Sequence, residues 1–192
     1  SPVGVRVASA HEGLQVDFRR ALPDFAPMDN VGSPYCIRRY TADPHLGGPE
    51  GLATARQELA GRGLRLLLDF VPNHVAPDRP WVATHPDYFI RGTAEDLSRA
   101  PSEFHEVGGK VFACGRDPYF PPWQDVLQLN VFHPGLRRAA IQTLHEIAGQ
   151  CDGVRCDMAM LLLTRVFEQT WGGRAGSPPA NQYWREVIRA IR

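Results

Sequence analysis

The chain has 192 residues, enough for one domain with a substantial core or for a piece of a larger one. Its 21 Lys plus Arg balance 21 Asp plus Glu, so no net field draws it to nucleic acid or to an anionic membrane, and neither is expected as a partner. A hydrophobic fraction of 43% with 22% charged residues is that of an ordinary soluble protein, while 18 Gly and 17 Pro imply long, shaped loops.

The first forty-odd residues carry turn signals at PDFAPMDN and GSPY and no convincing periodicity. From Pro49 to Gly63, Leu52, Ala55 and Leu59 recur at i, i+3 and i+7, and Gly63 stands where a helix C-cap belongs, which predicts a helix. LRLLLDFV (64–71), closed by Pro72, reads as a strand buried on both faces. Residues 75–133 then form a Pro-, Gly- and aromatic-rich stretch far beyond ordinary loop length, and such loops are usually functional. A second helix is predicted over 134–150, with Pro134 in its first turn and Leu136, Ala140, Leu144 and Ile147 along one stripe. A second strand follows over 152–158. Beyond MLLLTRVFEQTW and the break GGRAGSPP, the segment NQYWREVIRAIR predicts a last helix with Tyr183, Trp184, Val187, Ile188 and Ile191 facing inward. Helices alternating with buried strands predict an α/β fold with a parallel sheet, open or closed into a barrel.

The longest apolar stretch, Met158 to Leu163, is too short to span a bilayer, and SPVGVRVASA lacks the charged-then-apolar order of an export signal. Cys36, Cys114, Cys151 and Cys156 include no C-x-x-C pair, which argues against a zinc site and for reduced thiols in the cytoplasm. Ser1 is not an initiator methionine, so an upstream signal stays open.

In parallel α/β folds ligands bind at the carboxyl ends of strands. Asp69, Asn73 and His74 end the first strand, and Arg155 and Asp157 end the second. Strand side chains alternate, so Arg155 and Asp157 share one face while Val154, Cys156 and Met158 take the other. Arg155 is positioned to hold Asp157, and Asp69 with it, against the cost of burying a carboxylate. A rigidly held carboxylate can serve as a nucleophile. The other six histidines, His11, His45, His85, His105, His133 and His145, lack metal-ligand spacing. Trp81 and Trp123, in the long loop, could each be an aromatic platform for a ligand or a packing residue.

DFVPNH (69–74) followed by GVRCD (153–157) resembles two signature segments of the α-amylase superfamily of glycoside hydrolases (glycoside hydrolase family 13). GSPYCIRRYTADPHLGGPEGL (32–52), RPWVATHPDYFIRG (79–92) and GRDPYFPPWQDVLQLNVFHP (115–134) resemble further stretches of that family in the same order. The resemblance implies a partial TIM (β/α)8 barrel running from the loop after its second strand through its fourth helix, with 75–133 as a long loop or subdomain after the third strand. It implies cleavage or transfer of α-glucosidic bonds in carbohydrate metabolism, by a retaining double displacement on an α-glucan, a maltooligosaccharide or another α-glucoside. Within it Asp157 would be the catalytic nucleophile and Arg155 its orienting partner. Tyr35 would stack beneath the sugar, His74 would hydrogen-bond it, and Asp69 and Asn73 would be structural support. Asn73 also matches a calcium ligand in many members, so calcium is admitted for the full-length protein although no further ligands can be picked out. The residue after the stacking tyrosine is often Asp in the family and here is Cys36.

Retaining hydrolysis needs a second carboxyl as acid/base. The resemblance puts it at the end of the fifth strand, whereas the sequence stops at Arg192, and Glu168 and Glu186 match neither that position nor its companion aspartate. Residues 1–192 are therefore expected to be an internal fragment of the catalytic domain, without the acid/base and inactive alone. Two rivals stand beside this: a non-catalytic oligosaccharide-binding module using Tyr35, Trp81 and His74, and an unrelated α/β enzyme in which Asp157 and Arg155 form only a structural pair.

Overall fold

In the computed structural model, which describes residues 1–192, two sheets meet at the end of one strand. Helices α1 (Pro2–Ala10), α2 (Glu12–Ala21) and α3 (Gly48–Gly61) lead into β1 (Leu67–Phe70) and, four residues on, β2 (His74–Val75). Short helices α4 (Trp81–Thr84) and α5 (Ala94–Arg99) precede β3 (Phe104–Val107), β4 (Lys110–Gly115) and β5 (Trp123–Gln128). Helix α6 (Pro134–Ala148), β6 (Gly153–Cys156), α7 (Thr164–Trp171) and α8 (Tyr183–Ile191) complete the chain.

Strands β1 and β6 form a parallel pair in which Asp69 lies opposite Arg155. Strand β1 stops where Pro72, with no N–H to give a ladder, enters the chain. The chain then turns into an antiparallel sheet of order β2-β5-β4-β3. The β3–β4 hairpin closes on Gly108 and Gly109, both at positive φ, as a two-residue turn matched to strand twist requires. One hydrophobic core serves both sheets: Phe89, Phe112 and Leu127 from the antiparallel side join Leu136, Leu144 and Ile147 of α6, Phe167 of α7, and Tyr183 and Val187 of α8.

The two predicted helix–strand steps are present, and the α6 stripe of Leu136, Ala140, Leu144 and Ile147 is buried throughout. Gly63 follows α3 at positive φ, and its N–H and that of Leu64 bond back to Ala60 and Leu59, closing the last turn. Other expectations need correction. Strand β1 is not buried on both faces: Leu67 is 62% exposed, because the parallel sheet has two strands and covers only part of each. Ile188 and Ile191 of α8 are exposed for the same reason, and with Val154, Cys156 and Trp184 they line an open apolar groove. Residues 1–21, which showed no periodicity, form two helices. Helix α1 buries only the small residues Gly4 and Ala8, and α2 buries none, so neither needs an apolar stripe. The 75–133 stretch carries most of a sheet rather than irregular chain. No closed barrel is formed, and no helix is long and apolar enough to cross a membrane.

A clasp ties the antiparallel side to the segment after α7. Asp96 caps α5 through the Thr93 N–H and hydroxyl and takes both terminal nitrogens of Arg174, at 2.9 and 2.7 Å. Arg174 first, then Thr93, holds the Asp96 carboxyl well below the usual carboxylate range. A carboxyl depressed in the folded state contributes fully above its unfolded value, near ~3.9, and that contribution is lost as pH falls through the folded value. Replacing Arg174 by Ala should therefore move acid unfolding, followed by far-ultraviolet circular dichroism, to higher pH than in the wild type.

Candidate active site

The parallel ladder sets Asp69 beside Arg155, and strand alternation sets Arg155 and Asp157 on the same face. Arg155 consequently bridges two carboxylates, with Nη1 3.0 Å from Asp69 Oδ1 and Nη2 2.9 Å from Asp157 Oδ1. The Arg155 guanidinium is held in its charged form by Asp69 above all, then by Asp157 and by a hydrogen bond with Tyr35. The Asp157 side chain is only 12% exposed, against 42% for Asp69 and 56% for Arg155, so the carboxylate aimed at the cleft is the best covered of the three. Its backbone N–H donates to the Phe70 carbonyl at 2.8 Å, which locks the two strand ends together.

Directly after it, Met158 has φ +50, the one non-glycine residue of the chain in the left-handed region. Such a conformation costs a methionine about 1–3 kcal/mol and is held by the surrounding fold. It also corrects the expected alternation: Val154 and Cys156 face the apolar groove, but Met158 turns back to the cleft beside Asp157.

That cleft has a volume of about 310 Å³ and is lined by Ser33, Tyr35, His74, Trp123, Asp125, Val126, Asp157 and Met158. Tyr35 comes from the loop before α3, His74 from β2, and Trp123 and Asp125 from β5, so three distant segments meet Asp157 there. His74 is buried, its ring tilted against Trp123 with centroids 5.0 Å apart, and burial pushes its pKa down to about 4. The imidazole is neutral near pH 7 and can hydrogen-bond a hydroxyl without adding a charge.

Asn73 faces away from the cleft. Its amide and that of Gln128 donate to each other, at 3.3 and 3.0 Å, with both side chains fully buried. Its carbonyl oxygen accepts from Gln128 Nε2, so in this structure Asn73 serves to fasten the link between β1 and β2 to β5. Trp81 is also outside the cleft: the Arg79 guanidinium lies 3.7 Å over its ring. Trp123 is the tryptophan on the cleft wall. His133 and His11 cap α6 and α2 through Nδ1. Glu186 pairs with the buried Arg137 at 2.7 Å. Asp125, which no spacing in the sequence marks, is the additional carboxylate of the cleft.

No family model matches the chain. Among curated proteins it is similar to an alpha-1,4-glucan:maltose-1-phosphate maltosyltransferase of Cereibacter sphaeroides, with 30% identity across 47% of the chain; the match spans 14% of that protein. Among solved structures it is similar to an alpha-amylase from Lactobacillus plantarum, with 27% identity and a TM-score of 0.53 across 73% of this chain and 29% of that one. A trehalulose synthase from Pseudomonas mesoacidophila MX-45 shares the fold at 20% identity, with a TM-score of 0.62 across 84% of this chain and 33% of that one. The chain is therefore similar to α-amylase-family enzymes in sequence and in fold, and covers a minor part of each.

Two outcomes test this geometry. The unfolded state protonates His74 near ~6.5, whereas the buried ring resists protonation until about pH 4, so acid should favour unfolding across that window. An NMR titration should accordingly find the His74 ring neutral at pH 5.5. At Gly115, an added Cβ would lie 2.8 Å from Val126 Cγ2 and 2.9 Å from His74 Cβ. Gly115→Ala should cost about 1–3 kcal/mol of stability in urea unfolding through this overpacking.

Proposed function

We infer that this chain, similar to α-amylase-family enzymes, is part of a catalytic domain that cleaves or transfers α-glucosidic bonds by a retaining double displacement. The observation that carries the reading is the convergence of Asp157, braced by Arg155, with Tyr35, His74 and Trp123 in one cleft. In this reading β1 and β6 are the third and fourth strands of a (β/α)8 barrel, and residues 75–133 are the subdomain inserted after the third. Both functional strands then present their carboxyl ends to the cleft, where such barrels carry their chemistry.

The chemistry follows from the side chains. Tyr35 and Trp123 offer aromatic faces to the CH groups of a glucosyl ring, and neutral His74 offers a hydrogen bond to its hydroxyls. Asp157 attacks the anomeric carbon, forming a C–O bond as the glycosidic C–O bond breaks; the leaving oxygen takes a proton from an acid/base carboxyl about 5–5.5 Å away. That partner carboxyl is assigned to a part of the domain outside these residues. Water or a sugar hydroxyl, deprotonated by the same carboxyl, then resolves the glycosyl intermediate. The maltosyltransferase and the amylase among the similar proteins bear names of transfer and of hydrolysis, and both begin from this intermediate in the proposed scheme. Arg155 is a positioning residue: it fixes the Asp157 carboxylate along the line of attack while Asp69 fixes Arg155.

In the full-length protein, Asp157→Asn should abolish turnover of maltooligosaccharides and sucrose while leaving the melting temperature unchanged. A slow fluorinated α-glucosyl donor should leave a glycosyl adduct on Asp157 by peptide mass spectrometry. Turnover retained in Asp157→Asn would end the nucleophile assignment, and saturable oligosaccharide binding without products would identify a non-catalytic module instead. Residues 1–192 alone, lacking general acid catalysis worth ~10²–10⁴-fold, should fall short of the full-length rate by at least that factor.

A further inference from the structure

Strand β5 departs from regular pairing at the cleft. Leu127 pairs with Cys114 and Trp123 pairs with the next residue, Gly115, so Gln124, Asp125 and Val126 are extra to the ladder. Bulges of this kind re-aim side chains beside functional sites. Here the bulge turns Trp123, Asp125 and Val126 toward Asp157 and His74, and the Asp125 carbonyl is held by the Cys36 thiol at 3.0 Å. The cysteine noted in the sequence as a departure from the family thus anchors the bulge.

The Asp125 side chain is half-buried and makes no ion pair. Burial is the main influence on it and raises its pKa; its own backbone N–H and the more distant His105 act the other way. A carboxylate placed against aromatic side chains without a protein cation is unfavourable unless something else supplies donors. Asp125 is also one of the eight residues that line the cleft.

We propose that Asp125 is a substrate-binding residue of this cleft, whose carboxylate accepts hydrogen bonds from hydroxyls of the glucosyl unit lying against Trp123. The inference rests on the glucoside-cleaving function proposed above and adds a contact from the antiparallel sheet. A planar carboxylate beside an aromatic face suits a sugar, which presents CH groups to the ring and hydroxyls at its rim. It also makes Asp125 a specificity determinant, since a site built to bond a hydroxyl rejects the analogue that lacks it.

The test uses the full-length protein with maltotriose and with its monodeoxy analogues. A hydrogen bond to a charged group corresponds to roughly 10- to 100-fold in affinity. Asp125→Ala and the isosteric Asp125→Asn should each raise KM for maltotriose within that range with kcat little changed, because the bond is made in ground and transition states alike. One monodeoxy analogue should lose a similar factor with the wild type and almost nothing further with Asp125→Ala. Calorimetric Kd values for maltotriose should move in parallel. Unchanged KM and Kd in both variants overturn the proposal while the active wild type keeps the enzyme reading. Loss of kcat alone overturns it too, by moving Asp125 into proton transfer. A wild type that neither binds nor converts maltotriose or any other α-glucoside would end the functional reading and this inference with it.

Discussion

The bridge from Asp69 through Arg155 to Asp157 is the interaction on which the cleft depends. Two exposed members make it modest as a source of stability, since surface ion pairs contribute about 0–1 kcal/mol. Its importance is positional. Parallel register puts Asp69 opposite Arg155, and the period of two puts Asp157 on the same side. A slip by one residue would turn Arg155, and Asp157 just beyond the end of β6, to the opposite, apolar side. Because Asp157 is almost covered, leaving it without Arg155 would cost far more than the pair itself returns.

The second wall is joined to the first with little slack. Strand β2 starts four residues after β1 ends, and the buried Asn73–Gln128 amide pair fastens that short link to β5. Fully satisfied buried amides of this kind fix one arrangement. Gly115 lets β4 pass close under His74, and the β5 bulge presents Trp123 and Asp125 above it. The proposed chemistry needs both walls: in it the parallel pair offers a nucleophile and the antiparallel sheet offers aromatic and hydrogen-bonding surfaces for a sugar.

Legibility in the sequence followed how each element is stabilised. Helix α6 was readable because its stripe meets a core, and its start because Pro134 suits a first turn. Helices α1 and α2 were not, since they bury little and leave no periodic trace. The antiparallel sheet escaped notice because its strands are short, broken by the β5 bulge and set among prolines. Among the site residues, Arg155 and Asp157 were visible through alternation and Tyr35 and His74 through family likeness. Asp125 belongs to no such pattern, and the two candidate tryptophans were indistinguishable as letters.

The sequence by itself determined what depends on near neighbours along the chain: the two helix–strand steps, the breaks at Pro72 and Gly63, the common face of Arg155 and Asp157, and the motifs that resemble those of a family. Tertiary structure alone decided that Trp123 and not Trp81 faces the cleft, that Met158 turns back toward Asp157, that His74 is held neutral and that Asp125 is left without a cation. The physical reason is range. Backbone preference is set within a few residues, whereas desolvation and charge pairing depend on atoms brought together from far apart, as with Asp69 and Arg155, separated by 86 positions.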